Sequence, residues 1–270
     1  MHSFLHADMF WSSYPHSVEL RKNNVHIWAI ELDQFSYDSK DLDLLSKDEQ
    51  VRAERLVGVE KRAQFTASRI ALRKILSRYT GLAPENIRFD YAESGKPSIT
   101  TQAQIDPIEF NLSHSKNTML LAVTRRLNVG IDIEKIAPIT NIGWIAENYY
   151  SSDDAAFLKH CGSADRLSLF YRLWTLKEAH SKCSGLGFSK APAANYSILF
   201  DRYPLTGKEI FQTHSDGSWM YSSQIAESYA FGLVVRSQSK ANFEFFLCPD
   251  SNKLDRFRQH NPLINHNCPV

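Results

Sequence analysis

The sequence contains little cysteine, and the few cysteines are scattered. Four occur among 270 residues, and no two of them form a CxxC pair. A zinc site built from cysteine pairs is therefore not expected. The first residues also lack the basic start and the continuous apolar run of an export signal. We therefore predict a cytoplasmic protein with reduced thiols.

Long hydrophobic runs and an excess of charge of either sign are also missing. Nowhere do about 18 apolar residues follow one another, so no membrane-spanning helix is expected. The formal net charge is +1, so no global field favours nucleic acid or a membrane surface, and any anion site must be local. A GxxxxGK[ST] loop is absent as well, which argues against a nucleoside triphosphatase.

The whole sequence has the composition of a soluble globular protein, with 43% hydrophobic and 23% charged residues. We predict an α+β fold whose two halves each offer a strand, then helices, then antiparallel strands, and which join near Asn128. Predicted strands cover residues 25–32, 87–91, 109–112, 119–124, 129–133, 196–200, 219–226, 229–235 and 243–247. Predicted helices cover residues 41–57, 60–79, 141–150, 152–160 and 165–183. Residues 113–117 are predicted to form a polar loop.

Two carboxylates stand two positions apart within an apolar stretch. In a strand, Asp132 and Glu134 project from the same face, and Ile131 and Ile133 pack behind them. Neighbouring carboxylates repel each other unless a cation or protons intervene. Oxygen ligands suit magnesium or calcium, and magnesium often shares its coordination shell with substrate phosphates. The same pair could equally be two acids at a solvated strand end.

A carboxylate and an ammonium group share one face of a predicted helix. Glu178 and Lys182 are four residues apart, and Trp174 lies on the same stripe. If exposed, such an ion pair contributes at most about 0.5 kcal/mol. This face begins with tryptophan and ends at a glycine-rich break, so we expect it to be partly buried. A buried acid needs a partner such as a metal ion.

Three further patterns offer contacts for phosphate. The SGKP turn supplies backbone donors and the ammonium of Lys96, and Gly95 allows an anion to approach closely. The NLSHS segment delivers a hydroxyl and an imidazole at the end of a strand. Arg69 and Arg73 share a helix face, where they could bind phosphate or simply form its solvated side. Each pattern alone has an ordinary structural explanation, but together they indicate a polyphosphate ligand bridged to a divalent metal.

Four motifs occur in an order and spacing that resemble one known family. They are SGKP at 94–97, FNLSHS at 110–115, VGIDIE at 129–134 and LWTLKEAHSKCSGLG at 173–187. The chain resembles the phosphopantetheinyl transferases of the surfactin-synthetase type over most of its length. This resemblance implies a pseudo-dimer of two similar α+β halves. It also implies magnesium-dependent transfer of the 4'-phosphopantetheine arm of coenzyme A to a serine of an apo carrier protein, with release of adenosine 3',5'-bisphosphate.

The resemblance also implies roles for particular residues. Asp132, Glu134 and Glu178 would hold Mg²⁺, and Glu178 would accept the proton of the acceptor serine, directly or through a bound water. Lys182 would act with Glu178 in catalysis and contact the pyrophosphate. Ser113 and His114 would hold the 3'-phosphate region of coenzyme A. The other implied coenzyme contacts are Lys61, Arg62, Arg69, Gly95 and Lys96.

The implied protein is a monomeric cytoplasmic holo-[acyl-carrier-protein] synthase with no nucleic-acid or membrane partner. Its acceptors would be the acyl or peptidyl carrier domains of fatty-acid, polyketide and nonribosomal-peptide synthesis. We expect an extension at 1–24, a first α+β half at 25–128, a second half carrying the metal acids at 129–240, and a last strand and tail at 241–270.

Two other interpretations stay open at the level of the sequence. The chain could be another magnesium-dependent phosphate enzyme, such as a phosphohydrolase, which would use the same acids but attack with water. It could also be a non-catalytic module that binds the coenzyme or a carrier. The presence of three acids together with Lys182 argues against a pure binding module, because binding needs no general base.

Overall fold

A computed structural model describes residues 19–100, 107–185, 210–213, 217–225 and 228–248. The predictions made for residues 1–18, for a strand at 196–200 and for a tail beyond residue 248 lie outside the described residues.

Groups of strands and groups of helices follow one another along the described chain. The strands are β1 (Asn24–Glu31), β2 (Phe89–Tyr91), β3 (Pro97–Ile99), β4 (Ile108–Ser115), β5 (Thr118–Arg125), β6 (Val129–Lys135), β7 (Ile210–Thr213), β8 (Ser218–Ile225), β9 (Tyr229–Arg236) and β10 (Asn242–Leu247). The helices are α1 (Lys47–Arg55), α2 (Val59–Thr80), α3 (Ile142–Tyr149), α4 (Ser152–His160) and α5 (Ser163–Ser184). Of these elements, the short strands β3 and β7 were not predicted.

The two halves repeat one arrangement of strands and helices. The first sheet has the order β10-β1-β5-β4, and the second has the order β6-β9-β8-β7. In each sheet the first strand of the half (β1 or β6) pairs antiparallel with the last (β5 or β9), which pairs antiparallel with the middle one (β4 or β8). A 22-residue helix, α2 or α5, follows the first strand of each half. The α+β fold with two similar halves is thereby confirmed.

The last described strand returns to the first sheet. Strand β10 pairs in parallel with β1, so that Asn24 lies opposite Asn242 and Ala29 lies opposite Leu247. A parallel neighbour requires a long connection, and here the rest of the first half and the elements of the second half lie between the two strands. We propose that the boundary between the halves lies at the connection from β5 to β6, close to Asn128.

The sheets pack face to face, with helices on both outer sides. Val25 and Ile27 of β1 share one apolar cluster with Ile131 and Ile133 of β6. Trp28, on the opposite face of β1, belongs to a second cluster with residues of α2. Helices α3, α4 and α5 cover the outer face of the second sheet. Strand β1 is therefore buried on both faces, which explains its nearly continuous apolar sequence.

The predicted helix over residues 41–57 is divided in two. A 3₁₀ turn covers Lys40–Leu44, and α1 begins only after Ser46. The Ser46 hydroxyl accepts a hydrogen bond from the Glu49 backbone N–H at 3.3 Å, and the Glu49 carboxylate accepts one from the Ser46 N–H at 2.9 Å. This capping box satisfies two backbone donors and starts a new helix.

Arg69 and Arg73 of α2 are buried, so the interpretation of these two residues as part of a solvated face is wrong. Both guanidinium groups donate to the carboxylate of Glu49, and Arg73 Nε lies 2.8 Å from it. Burial raises the pKa of Glu49, but Arg69, the Ser46 amide and Arg73 outweigh it, so the pKa is lowered overall. The arginines are therefore part of the contact between α1 and α2.

The predicted polar loop over residues 113–117 is wrong, because β4 continues through it. Ser115 at the end of β4 lies opposite Thr118 at the start of β5, and only Lys116 and Asn117 form the turn. Lys116 accordingly has a φ of +52°. Serine and asparagine usually favour turns. The short polar side chains of β4 instead bond to the neighbouring strand β6.

Candidate active site

The two sheets meet where the edge strand β4 runs beside the edge strand β6. The Asn111 side-chain oxygen accepts a hydrogen bond of 2.8 Å from the backbone N–H of Ile131 in β6. Ser113 Oγ donates to Asp132 Oδ1 at 2.8 Å, and Ser115 Oγ donates to Glu134 Oε2 at 2.9 Å. Alternation along β4 thus directs three polar side chains to β6. Asp132 and Glu134 share a strand face, as predicted.

Helix α5 brings a lysine and a third acid to this edge. Lys182 Nζ lies 2.6 Å from Asp132 Oδ1 and 3.1 Å from Ser113 Oγ. One turn earlier, Glu178 is half-buried, and the charges of Asp132 and Glu134 both act on its carboxyl group. The structure therefore brings together the three predicted acids, Lys182 and Ser113.

Two glycines let α5 lie directly on the second sheet. A Cβ atom added at Gly130 would overlap the Ala179 carbonyl oxygen and stand 2.5 Å from the Cys183 nitrogen. One added at Gly232 would stand 2.6 Å from the Leu176 nitrogen. Backbone therefore packs against backbone where α5 crosses β6 and β9. This role of the glycines was not predicted, although an isolated glycine within a strand pattern indicates a close backbone approach.

Burial raises the pKa of each of the three carboxyl groups. At Asp132 burial outweighs the attraction of Lys182. At Glu134 burial outweighs a serine hydrogen bond, and the Asp132 charge adds to the increase. At Glu178 burial is again the largest cause, and the Asp132 charge is the next. Carboxylates that destabilise one another in this way are stabilised by a cation or by a shared proton.

The chemistry of this edge fits a hard divalent cation. Asp132 Oδ2 is buried and has no hydrogen-bond partner among the described residues, whereas Oδ1 bonds to Ser113 and Lys182. Carboxylate oxygens are the ligands that magnesium prefers. Over the described ranges, no three His, Cys, Asp or Glu side chains form a ready-made metal cluster. The fit therefore rests on the unpartnered oxygen and on the mutual destabilisation of the acids.

Comparison with known proteins covers both halves of the chain. Residues 128–234 match the family described as the 4'-phosphopantetheinyl transferase superfamily. Residues 28–126 match the family described as 4'-phosphopantetheinyl transferase, N-terminal. The chain belongs to the 4'-phosphopantetheinyl transferase superfamily. The first match ends at residue 126 and the second begins at residue 128, between β5 and β6.

Individual relatives carry the same enzyme name. The transferase is 36% identical over 181 residues to the 4'-phosphopantetheinyl transferase HetI of Nostoc sp.. The aligned region covers 67% of this chain and 76% of HetI. It is 28% identical over 174 residues to Sfp of Bacillus subtilis, covering 64% and 75%. It is 32% identical over 143 residues to gsp of Aneurinibacillus migulanus, covering 53% and 57%. The chain thus spans somewhat more than half of gsp.

The predicted coenzyme contacts differ in their surroundings. In the transferase, Lys61 and Arg62 are exposed near the start of α2, and His114 is exposed on β4. Arg69 is only 8% exposed and bonds to Glu49, so its side chain already has a structural partner. The predictions for these four contacts stay untested.

The SGKP turn belongs to the first half and contacts the second half. Gly95 has a φ of +80°, a conformation that favours glycine. Lys96 Nζ donates to the carbonyl oxygens of Val129 and Lys182, at 2.9 Å each. The predicted coenzyme contacts of Gly95 and Lys96 stay predictions. The structure adds a bond from the Lys96 side chain to the second half.

No helix of the transferase within the described ranges is both long and apolar enough to cross a membrane.

We expect Glu178→Gln to raise the free energy of unfolding at neutral pH in the absence of metal. The Glu178 pKa is higher in the folded chain than in the unfolded chain, so its ionised form opposes folding. This destabilisation is fully present above the folded-state pKa and fades as the pH falls through it. Urea unfolding at pH 7 and at about pH 4 should show a gain that shrinks in acid. A variant less stable than the wild type at pH 7 would contradict the electrostatic account.

Proposed function

We propose that this transferase moves the 4'-phosphopantetheine arm of coenzyme A to a serine of an apo acyl or peptidyl carrier protein. In this proposal Mg²⁺ binds at Asp132, Glu134 and Glu178. The observation that supports it most comes from the seam between β4 and β6, the line along which these two edge strands contact each other. There Lys182 Nζ lies 2.6 Å from Asp132 Oδ1, and the pKa values of Asp132, Glu134 and Glu178 are all raised. The Lys182 ammonium can donate hydrogen bonds to a pyrophosphate, and the neighbouring carboxylates can bind the metal ion that accompanies it.

The proposed reaction is a displacement at the phosphorus that bears the pantetheine arm. The serine oxygen forms a bond to this phosphorus, and the bond to the bridging pyrophosphate oxygen breaks. Adenosine 3',5'-bisphosphate leaves with the electron pair, and the serine proton passes to Glu178. Burial and the charge of Asp132 raise the Glu178 pKa, which makes the carboxylate a better proton acceptor near neutral pH.

The other side chains bind and orient the coenzyme. Lys182 neutralises the charge that grows on the pyrophosphate oxygens as the bond breaks, an effect that is strong at a partly buried site. Bound Mg²⁺ would supply further charge neutralisation as a Lewis acid. The Ser113 hydroxyl donates to Asp132 and accepts from Lys182, so it holds both in one orientation. The other proposed coenzyme contacts are Lys61, Arg62, Arg69 and Gly95, with Ser113 and His114 at the 3'-phosphate region.

A monomer is proposed because both halves of one chain already contribute to the site. Ser113 comes from the first half, and Asp132 and Glu178 come from the second. The cytoplasm is proposed as its location, since coenzyme A and apo carriers would meet there.

The proposal is tested by following the nucleotide product. Wild-type protein, Mg²⁺, coenzyme A and an apo acyl or peptidyl carrier should release adenosine 3',5'-bisphosphate in amounts equal to the carrier modified. Release of the nucleotide without any carrier would favour the phosphohydrolase. Binding of coenzyme A with no nucleotide release, using several carrier types, would favour a non-catalytic module. Either result would refute the proposed transfer.

A further inference from the structure

Lys96 connects the first half of the chain to the two elements that hold the candidate active site. It lies in the turn between β2 and β3, and its ammonium donates to the carbonyl oxygens of Val129 and Lys182. Val129 is the first residue of β6, the strand that carries Asp132 and Glu134. Lys182 lies in the last turn of α5, the helix that carries Glu178.

These two carbonyl groups belong to one close junction. The Gly130 backbone stands so near α5 that an added Cβ would overlap the Ala179 carbonyl oxygen and stand 2.5 Å from the Cys183 nitrogen. Lys96 binds the residue before Gly130 on one side and the residue before Cys183 on the other. A single ammonium group therefore fastens β6 to α5 where their backbones touch.

The end of a helix is a chemically suitable place for this lysine. The last four carbonyl groups of a helix lack partners within the helix, and a cation there also compensates the negative end of the helix dipole. Helix α5 ends with Gly185 in the left-handed conformation, at a φ of +74°. Lys96 thus binds the final turn, and the rotation of this turn sets the direction of the Lys182 side chain.

The Lys96 ammonium has few donors left for a ligand. Two of its three N–H bonds point to protein carbonyl groups. Burial lowers the Lys96 pKa, while Cys183 and Glu109 oppose this effect. The half-buried ammonium is therefore directed to the protein backbone and has at most one donor for a ligand.

We propose that Lys96 is a positioning residue, which fixes the end of α5 against the start of β6 and so holds Lys182 Nζ at Asp132 and Ser113. The catalytic consequence rests on the proposed function, because it requires Lys182 to act on the pyrophosphate. The structural consequence, that Lys96 holds the end of α5 in place against β6, does not depend on the proposed function.

The kinetic test compares Lys96→Met with Lys96→Arg and with Lys47→Met, an exposed lysine at the start of α1. Lys96→Met should lower kcat by about 10–10²-fold, since a displaced catalytic group can cost this much, and should change the KM for coenzyme A little. Lys96→Arg, which keeps charge and donors, should recover part of the loss, and Lys47→Met should match the wild type. In a Lys182→Ala background, Lys96→Met should cause no further loss. Two results would overturn the proposal in favour of a direct coenzyme contact. One is a raised KM with unchanged kcat in Lys96→Met; the other is a loss of kcat from Lys96→Met that is as large in the Lys182→Ala background as in the wild type.

A second measurement does not depend on activity. Amide hydrogen exchange of full-length Lys96→Met should be faster than in the wild type at the end of α5, where the Gly185 N–H bonds to the Ser181 carbonyl group. Unchanged exchange there would overturn the fastening role, even if the wild type transfers phosphopantetheine. Faster exchange in a protein without transferase activity would retain the fastening role and refute the proposed function. If Lys96→Met does not fold, Lys96→Gln takes its place in both measurements.

Discussion

Replacing Glu178 with glutamine should lower the rate of phosphopantetheine transfer by about 10²–10⁴-fold, while the fold stays intact. Glutamine has nearly the same shape as glutamate, but it cannot accept the serine proton, and it is a weaker ligand for a cation. The loss should therefore appear in kcat, measured with saturating coenzyme A and carrier. The same variant should be at least as stable as the wild type, because the ionised Glu178 opposes folding.

The matched control for this prediction is Glu54→Gln. Glu54 is exposed on α1, in the first half of the chain and away from the seam between β4 and β6. The control should transfer at the wild-type rate. Substantial activity of Glu178→Gln would remove Glu178 as the base. An unfolded variant would contradict the electrostatic account of the site.

Gly130→Ala should damage both stability and activity, because the added methyl group meets backbone and not a mobile side chain. The Ala179 carbonyl oxygen and the Cys183 nitrogen must both move to admit it. Overpacking of this kind costs about 1–3 kcal/mol or more. Moving α5 away from β6 would also separate Glu178 and Lys182 from Asp132. We expect a lower midpoint in urea unfolding and a loss of transfer larger than the unfolded fraction explains.

Gly143→Ala is the matched control for Gly130→Ala. Gly143 lies in the first turn of α3, and a Cβ atom added there meets nothing within 4 Å. Alanine is a better helix former than glycine by about 1 kcal/mol, so this variant should be as stable as the wild type or more stable. If Gly130→Ala were equally harmless, α5 would not depend on the close contact with β6.

The acids at the site were predictable, because a period of two in a strand and a spacing of four in a helix both fix which side chains share a face. Those two spacings are enough to place Asp132 with Glu134 and Glu178 with Lys182. The partial burial expected for the α5 face is confirmed, since Glu178 and Trp174 are both half-buried. Local periodicity was therefore enough to predict which of these side chains share a face, whereas their proposed roles came from the family resemblance.

Features that depend on the packing of distant segments could not be predicted in the same way. Ser113 and Ser115 have the composition of a turn, and only the neighbouring strand β6 explains why they continue β4. Arg69 has the spacing of a solvated face, but its partner Glu49 lies 20 residues earlier on another helix. The Lys96 contact joins segments 86 residues apart. Such pairings follow from tertiary contacts, which periodicity does not encode.

The most direct test of the proposed function is the intact mass of a purified apo acyl or peptidyl carrier protein after incubation with the wild-type transferase, Mg²⁺ and coenzyme A. A parallel incubation contains a chelator in place of Mg²⁺. The account predicts a carrier heavier by one phosphopantetheine group, modified at a serine, with no gain in the chelated sample. An unchanged carrier mass across acyl and peptidyl carriers, or an equal gain in both samples, would contradict it.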